Sequence, residues 1–258
     1  MSEKLRVLDL FSGLGGFSLG LERTGGFETV AFCEIEDYPR GVLAKHWPKV
    51  PCYEDVRTLT ADILERDGIS VDVITGGFPC QDISVAGKQA GINEQTRSGL
   101  WSEIVRLTSE LRPRYVIVEN VADLLSGPTE KRGAWFGRVL GDLAECGYDA
   151  EWENIPASAL GAPHRRERVW IIAYPECSGR QRLVQDDGFL SGKKASHPLP
   201  IDTGVELWCK LARSFVPVRS GDGVSLAVER RRIRALGNAV VPQIPELIGR
   251  AILQAEEA

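Results

Sequence analysis

Cys80 stands in the stretch Gly76-Gly77-Phe78-Pro79-Cys80-Gln81-Asp82-Ile83-Ser84, directly after an apolar run, Val71 to Thr75, that predicts a short buried strand. The two glycines end that strand and let the chain turn. Pro79 fixes its own φ and biases Phe78 towards an extended backbone, so Cys80 is expected to project from a defined loop. A thiolate there is a nucleophile, provided positive charge or a helix terminus lowers its pKa. A buried cysteine in a tight turn fits the same residues. A second apolar run, Tyr115-Val116-Ile117-Val118, delivers Glu119-Asn120-Val121 to the same end of a sheet. A carboxyl group in a dry site has a raised pKa and can donate a proton, although a helix-capping carboxylate reads equally well. Arg166 and Arg168 lead into Val169 to Ala173, and alternate strand residues face one way. Two guanidinium groups aimed together bind phosphate or polarise a carbonyl oxygen; the plainer alternative is an exposed basic edge strand.

Around these groups lie residues suited to binding. Arg6 to Leu10 predicts the first strand, followed by Phe11-Ser12-Gly13-Leu14-Gly15-Gly16 and a helix from Phe17 to Arg23. Strand, glycine-rich turn and helix open a nucleotide-binding unit, where backbone N–H groups approach a ligand, though this loop lacks the dinucleotide spacing. A second strand, Glu28 to Cys33, ends at Glu34, the position that holds the paired hydroxyls of a ribose in such folds. Asp37 is expected to cap the next helix, towards His46. Asp55-Val56 offers an acceptor for an adenine amino group or a helix cap.

Positioning these groups takes a doubly wound, mostly parallel α/β sheet, predicted from the repeated alternation of strand and helix. Further helices are expected over Ala61 to Arg66, Leu100 to Leu111, Ala134 to Cys146 and Ile244 to Gln254, with a strand over Asp149 to Ile155. The last helix is expected to pack beside the first glycine loop. Residues 81–99 are too long and polar for an ordinary connection and read as a closing loop. Composition shifts after Pro175, and Trp208 to Arg213 reads as a short helix within an irregular region. The organisation expected is one α/β domain over 1–175, a short irregular region over 176–227 and a C-terminal return over 228–258.

The chain has 258 residues, 43% hydrophobic, enough for a substantial core. No apolar run approaches the ~20 residues that span a bilayer. Arg6 and Asp9 interrupt the N-terminal apolar run, which argues against a signal peptide, and six cysteines without metal-ligand spacing point to a reduced cytosolic protein with no metal. The net charge is −5, yet residues 164–234 carry 14 Lys+Arg against 8 Asp+Glu. That asymmetry suggests a nucleic-acid face on an acidic body, or a solvated basic face.

Taken in order over residues 5–174 and 228–258, these stretches resemble the DNA (cytosine-5)-methyltransferase family, in a compact form of the phage or prophage type. Asp9 to Gly16 is similar to its first cofactor motif, Pro79-Cys80-Gln81 to its nucleophile motif and Glu119-Asn120-Val121 to its proton-donor motif. Arg166-Glu167-Arg168 is similar to its arginine pair, and Gly237-Asn238-Ala239-Val240 to its last motif, which closes the cofactor pocket. The resemblance implies a catalytic set of Cys80, Gln81, Glu119, Arg166 and Arg168. It implies a pocket for S-adenosylmethionine built from Phe11, Gly13, Leu14, Gly15 and Gly16, from Glu34, Ile35, Asp55 and Val56, and from Pro79, Leu100, Asn238, Ala239 and Val240. Its implied partner is double-stranded DNA, acted on by a cytoplasmic monomer that can accompany a cognate restriction enzyme. The resemblance makes 1–175 the catalytic and cofactor-binding domain and 176–227 the target-recognition region, which is short; His164 departs from the family, where glutamine is common. An RNA (tRNA) cytosine-5 methyltransferase, an inactive methyltransferase-like binding protein and a nicotinamide dehydrogenase are the rival readings.

Overall fold

The computed structural model describes residues 3–79, 100–127, 132–160, 166–176, 231 and 234–257. Cys80, Gln81, the 81–99 loop, His164, the 176–227 region except Glu176 and the helix expected over Trp208 to Arg213 therefore lie outside the described residues.

Among the described residues, seven strands form one sheet in the order β3-β2-β1-β4-β5-β7-β6. They are β1 (Leu5–Leu10), β2 (Phe27–Cys33), β3 (Cys52–Tyr53), β4 (Val73–Gly76), β5 (Tyr115–Val121), β6 (Tyr148–Pro156) and β7 (Glu167–Pro175). The first five run parallel. β7 is antiparallel to both β5 and β6. β1, β4 and β5 are buried along almost their whole length because helices cover both faces. Val7, Phe27, Tyr115, Ile117, Trp170 and Ile172 fill one layer; Leu8, Leu10, Ile74, Val116, Val118 and Ile171 fill the other. Helices α1 (Gly16–Glu22) and α6 (Gln243–Glu256) cover the first layer. Helices α3 (Ala61–Arg66), α4 (Trp101–Leu111) and α5 (Ala134–Glu145) cover the second through Leu64, Ile104, Leu107, Val139 and Leu143. Helix α2 spans Asp37–His46.

Two local devices set the sheet's edges. At its lower end Asp72 ties three strands together. Its carboxylate accepts from the backbone and guanidinium of Arg6 at 2.9 and 2.8 Å, and its carbonyl accepts from Arg114 and Tyr115. β3 pairs with only the last residues of β2, so part of β2's outer edge lacks a strand partner. Glu22 fills in, accepting from Thr29 N at 3.1 Å and from the Trp47 indole at 3.0 Å. β6 carries Asp149, Glu151 and Glu153, charges suited to an edge that must not recruit another strand.

Several expectations shift. β4 begins at Val73 rather than Val71, because Val71 and Asp72 belong to the turn that Asp72 organises. The two-residue β3 was not foreseen, being too short for any period. Asp37 does not cap α2: Glu36 occupies the cap position without a side-chain bond, and Asp37 pairs with Arg40 one turn on, at 3.2 Å. α6 reaches Glu256, where Tyr115 Oη donates to it at 2.8 Å.

α6 packs on α1 as expected, backbone close to backbone. A Cβ on Gly20 would lie 2.2 Å from Pro242 O and 2.9 Å from Pro245 Cβ. A carbonyl oxygen fixed in a helix start cannot yield as a side chain can. Gly20→Ala is therefore expected to destabilise the fold by about 2 kcal/mol, overpacking outweighing alanine's better helix propensity. Gly249→Ala, whose new atom would meet side chains at 3.0 Å, should cost less. Urea unfolding of both variants tests this; a Gly20→Ala midpoint at or above wild type would overturn it.

Candidate active site

The carboxyl ends of β1, β2, β3, β4 and β5 lie side by side, and their loops line one crevice, where open α/β sheets bind ligands. After β1, Phe11 takes a left-handed turn at φ 52°. Ser12 Oγ donates to Asp9 O and accepts from Cys33 N at 3.3 Å, binding the loop to β2. The Gly13 N–H then donates to Glu34 Oε2 at 2.8 Å, while Glu34 Oε1 accepts from Glu36 N at 2.8 Å. Glu34 is thus buried and aimed by two backbone groups, with Ile35 next to it 57% exposed.

The three glycines divide their tasks. Gly15 lets the Trp47 ring approach, since a Cβ there would sit 2.8 Å from it. Gly16 lets the Val240 carbonyl approach, at 2.6 Å from the same hypothetical atom. Only at Gly13, at φ +53°, is that space open, with nothing nearer than 4.0 Å. Leu14 is half-buried between them. The C-terminal segment therefore closes on the loop as expected: Ala239 is buried, Val240 abuts Gly16 and Asn238 is exposed. Arg234 faces Glu36 across this junction at 3.9 Å.

Beneath the loop Asp9 is fully buried, accepting from Ser18 Oγ at 2.8 Å and Thr75 Oγ1 at 2.9 Å. Burial pushes its carboxyl up to about 7, against the pull of those hydrogen bonds, with Glu34 the facing charge. A folded-state pKa above the unfolded value means that stability is lost as pH rises through that window, here from about 4 to about 7. Asp9→Asn removes the titration, and either hydroxyl can turn to accept from the amide. The difference in unfolding free energy between variant and wild type is expected to shift towards the variant by up to roughly 4 kcal/mol between pH 4 and 8. Parallel stability curves across that range would contradict it.

At the β4–β5 end, Asn120 is the residue that sequence reasoning passed over. Its buried amide donates to Phe78 O at 3.1 Å, while its carbonyl accepts from Val121 N. It staples the loop Gly77-Phe78-Pro79, which runs straight into Cys80, to the end of β5. Glu119 lies against that loop: a Cβ on Gly77 would stand 3.1 Å from Glu119 Oε2. From the antiparallel strand, Arg168 reaches the other oxygen, Nε to Oε1 at 2.9 Å. The register explains the reach, because Arg168 pairs with Val121 and Trp170 with Glu119. Burial raises the Glu119 carboxyl above the usual range, and the Arg168 and Arg166 charges hold it partly down. Both arginine charges bear on one carboxyl, but Arg166 sits just before β7 at φ 20°, outside the strand whose alternation was expected to align it with Arg168. Leu100 packs half-buried on the core beneath this end, next to Trp101.

Asp55, two residues past the end of β3, is bound by Arg57 rather than capping a helix; the cap of α3 is Thr60, which accepts from Ile63 N. Val56 is buried beside it.

The fold is the mixed, doubly wound α/β sheet found in solved DNA methyltransferases. The crystal structure of a Spodoptera frugiperda DNMT2 mutant superposes with a TM-score of 0.56 at 22% identity over 71% of this chain and 54% of its own, a likeness of fold. Residues 5–196 match the model of the C-5 cytosine-specific DNA methylase family, and the chain belongs to that family. It is 35% identical over 173 residues to the type II methyltransferase M2.BsuMI of Bacillus subtilis, covering 66% of this chain and 42% of that protein. It is also 35% identical over 193 residues to M.Sau3AI of Staphylococcus aureus, covering 71% and 46%. A crystal structure from an E. coli prophage, assigned as a DNA modification methyltransferase, matches with a TM-score of 0.58 at 30% identity over 69% of this chain and 49% of its own. The chain thus spans less than half the length of these curated relatives.

Proposed function

We propose that this chain transfers a methyl group from S-adenosylmethionine to carbon 5 of a flipped-out cytosine in a short double-stranded DNA site. The observation that carries the proposal is the mostly buried Glu119 side chain, paired with Arg168 at 2.9 Å and set against the loop that leads into Cys80. Family membership supplies the reaction class.

Carbon 5 of cytosine is a poor nucleophile. Addition of the Cys80 thiolate to carbon 6 makes carbon 5 enamine-like. Glu119, with its raised pKa, gives a proton to ring nitrogen 3 as electron density builds there. Arg168, with Arg166, stabilises charge on the ring carbonyl and is already oriented before substrate arrives. Gln81 completes the nucleophile motif, and the 81–99 loop closes over the base. Elimination after loss of the carbon-5 proton frees Cys80. None of these groups can reach a base stacked in a duplex, so the cytosine must leave the helix.

The residues at the glycine loop fit the cofactor. Each Glu34 oxygen accepts one backbone N–H and retains a lone pair for a ribose hydroxyl. Ile35 offers an exposed apolar face for a base, and the open side of Gly13 leaves room for close approach. Phe11, Leu14, Val56, Pro79 and Leu100, with Asn238, Ala239 and Val240, form the rest of the wall. When bound, S-adenosylmethionine supplies the methyl group as an electrophile. Residues 176–227 read the target, the basic excess over 164–234 binds phosphates, and the enzyme works as a cytoplasmic monomer, alone or beside a cognate restriction enzyme.

Base-resolution methylation sequencing of DNA from a methylation-free host expressing this chain alone tests the proposal. The expected result is 5-methylcytosine concentrated in one short motif. Unmodified DNA beside newly methylated transfer RNA would transfer the assignment to an RNA enzyme; cofactor binding with neither product would mark an inactive relative.

A further inference from the structure

The loop after β3 carries a polar arrangement that the chemistry above leaves unused. It lies beside Glu34, whose N–H donates to Tyr53 O at 2.9 Å. Arg57 grips the Asp55 carboxylate there: Nε donates to Oδ1 at 2.9 Å, Nη2 to Oδ2 at 2.7 Å, and the Arg57 backbone N–H to Oδ1 at 3.0 Å. From α4, Arg106 Nη2 donates to Val56 O at 3.0 Å and Leu59 O at 2.7 Å, pinning the loop's backbone. Glu103 and Glu110 hold Arg106 in place. An ion pair with one partner 61% exposed adds little to stability, so the grip on Asp55 has its effect elsewhere. It fixes where the carboxylate points and, by hydrogen bonding the ionised form, keeps Asp55 below the usual carboxylate range.

We infer that Arg57 is a positioning residue that sets base specificity in the cofactor pocket: by fixing Asp55 as a pure hydrogen-bond acceptor, it selects a nucleobase bearing an exocyclic amine over one bearing a carbonyl. The role presupposes the adenine-bearing cofactor proposed above. An amine at that place donates to Asp55. A carbonyl oxygen there sets acceptor against acceptor and leaves both unsatisfied. Freed from Arg57, the carboxyl can swing away or take up a proton and donate, and the distinction is lost.

Calorimetry on the full chain with S-adenosylhomocysteine and its deaminated counterpart, S-inosylhomocysteine, provides the test. The wild type is expected to favour the adenine compound by about tenfold or more. Arg57→Ala should bring the two within a few-fold, and Arg57→Lys, which lacks the two-pronged fork, should restore part of the preference. The pH profile gives a readout that a structural role would not move. As pH falls, Arg57→Ala should lose affinity for S-adenosylhomocysteine earlier than the wild type, because its Asp55 protonates at higher pH. Glu34, Glu103 and the Cys33 thiol, which burial pushes up to about 12, are common to both proteins and cancel in the comparison. Undiminished preference with an unchanged pH profile in Arg57→Ala would overturn the inference. A wild type that binds both compounds equally would also overturn it while leaving the cofactor in place; one that binds neither would refute the cofactor itself.

Discussion

Cys80→Ala is expected to abolish methylation by about 10⁴-fold or more, the scale on which enzymes lose a covalent nucleophile. Wild-type chain should form a covalent adduct with duplex DNA carrying 5-fluorocytosine at the target, because fluorine blocks the proton loss that precedes elimination; the variant should form none. Cofactor affinity should stay at the wild-type level. The loop preceding residue 80 is fastened by Asn120 to Phe78 O and by the fit of Gly77 against Glu119, neither of which involves the thiol. An adduct with Cys80→Ala would require another nucleophile, and a collapse of cofactor binding would assign Cys80 to the scaffold.

Arg168→Ala should be costly in a different way. Glu119 has a side chain only 12% exposed, and its partner's is 23% exposed. Removing one member of such a pair strands the other, at about 3 kcal/mol, the low end for buried pairs. Glu119 can escape by staying protonated. Its folded-state carboxyl already stands above the ordinary value through burial, and without Arg168 it rises further. A raised folded pKa contributes stability at acid pH that is lost as pH climbs through the folded value. The deficit relative to wild type should therefore be small near pH 4 and fully developed near pH 8, where methylation should also be lost. Arg168→Lys, retaining charge without the planar fork, should recover most of the stability and less of the rate. A deficit equal at both pH values would mean that packing, not charge, is what Arg168 provides.

Much of this was legible in the chain because the signals are local. Val73 to Gly76 and Tyr115 to Val118 carry no charged residue, a pattern that strands covered on both faces favour. The turn residues that follow them, Gly76-Gly77 and Pro79, place the loop ends to within a residue or two. What escaped depends on pairing at a distance. β3 is two residues long and exists only because Cys52 and Tyr53 meet the end of β2. Asn120 had no role of its own in the motif Glu119-Asn120-Val121, because its partner, Phe78 O, comes from the β4 loop. The antiparallel entry of β7, which brings Arg168 back to Glu119, leaves no mark on the apolar period of Val169 to Ala173, since a strand reads alike in either direction. Asp55 could be read as an acceptor or a cap; an Asp-x-Arg spacing was the available clue to the ion pair it makes.

The close packing of α1 on α6 sets an order on biosynthesis. The glycine loop and α1 are synthesised before six of the sheet's strands, whereas the Val240 carbonyl and Ala239 that wall them in follow all of them. Until then Phe17, Leu21 and Phe27 lack the cover of Ile244, Ile248 and Ile252, and the nascent chain carries an open apolar face for a chaperone to shield. The entropy of closing so long a loop falls on the docking of α6 against α1. Ligand affinity in a growing chain should therefore appear late and abruptly, when α6 docks, rather than accumulate as each pocket residue is added.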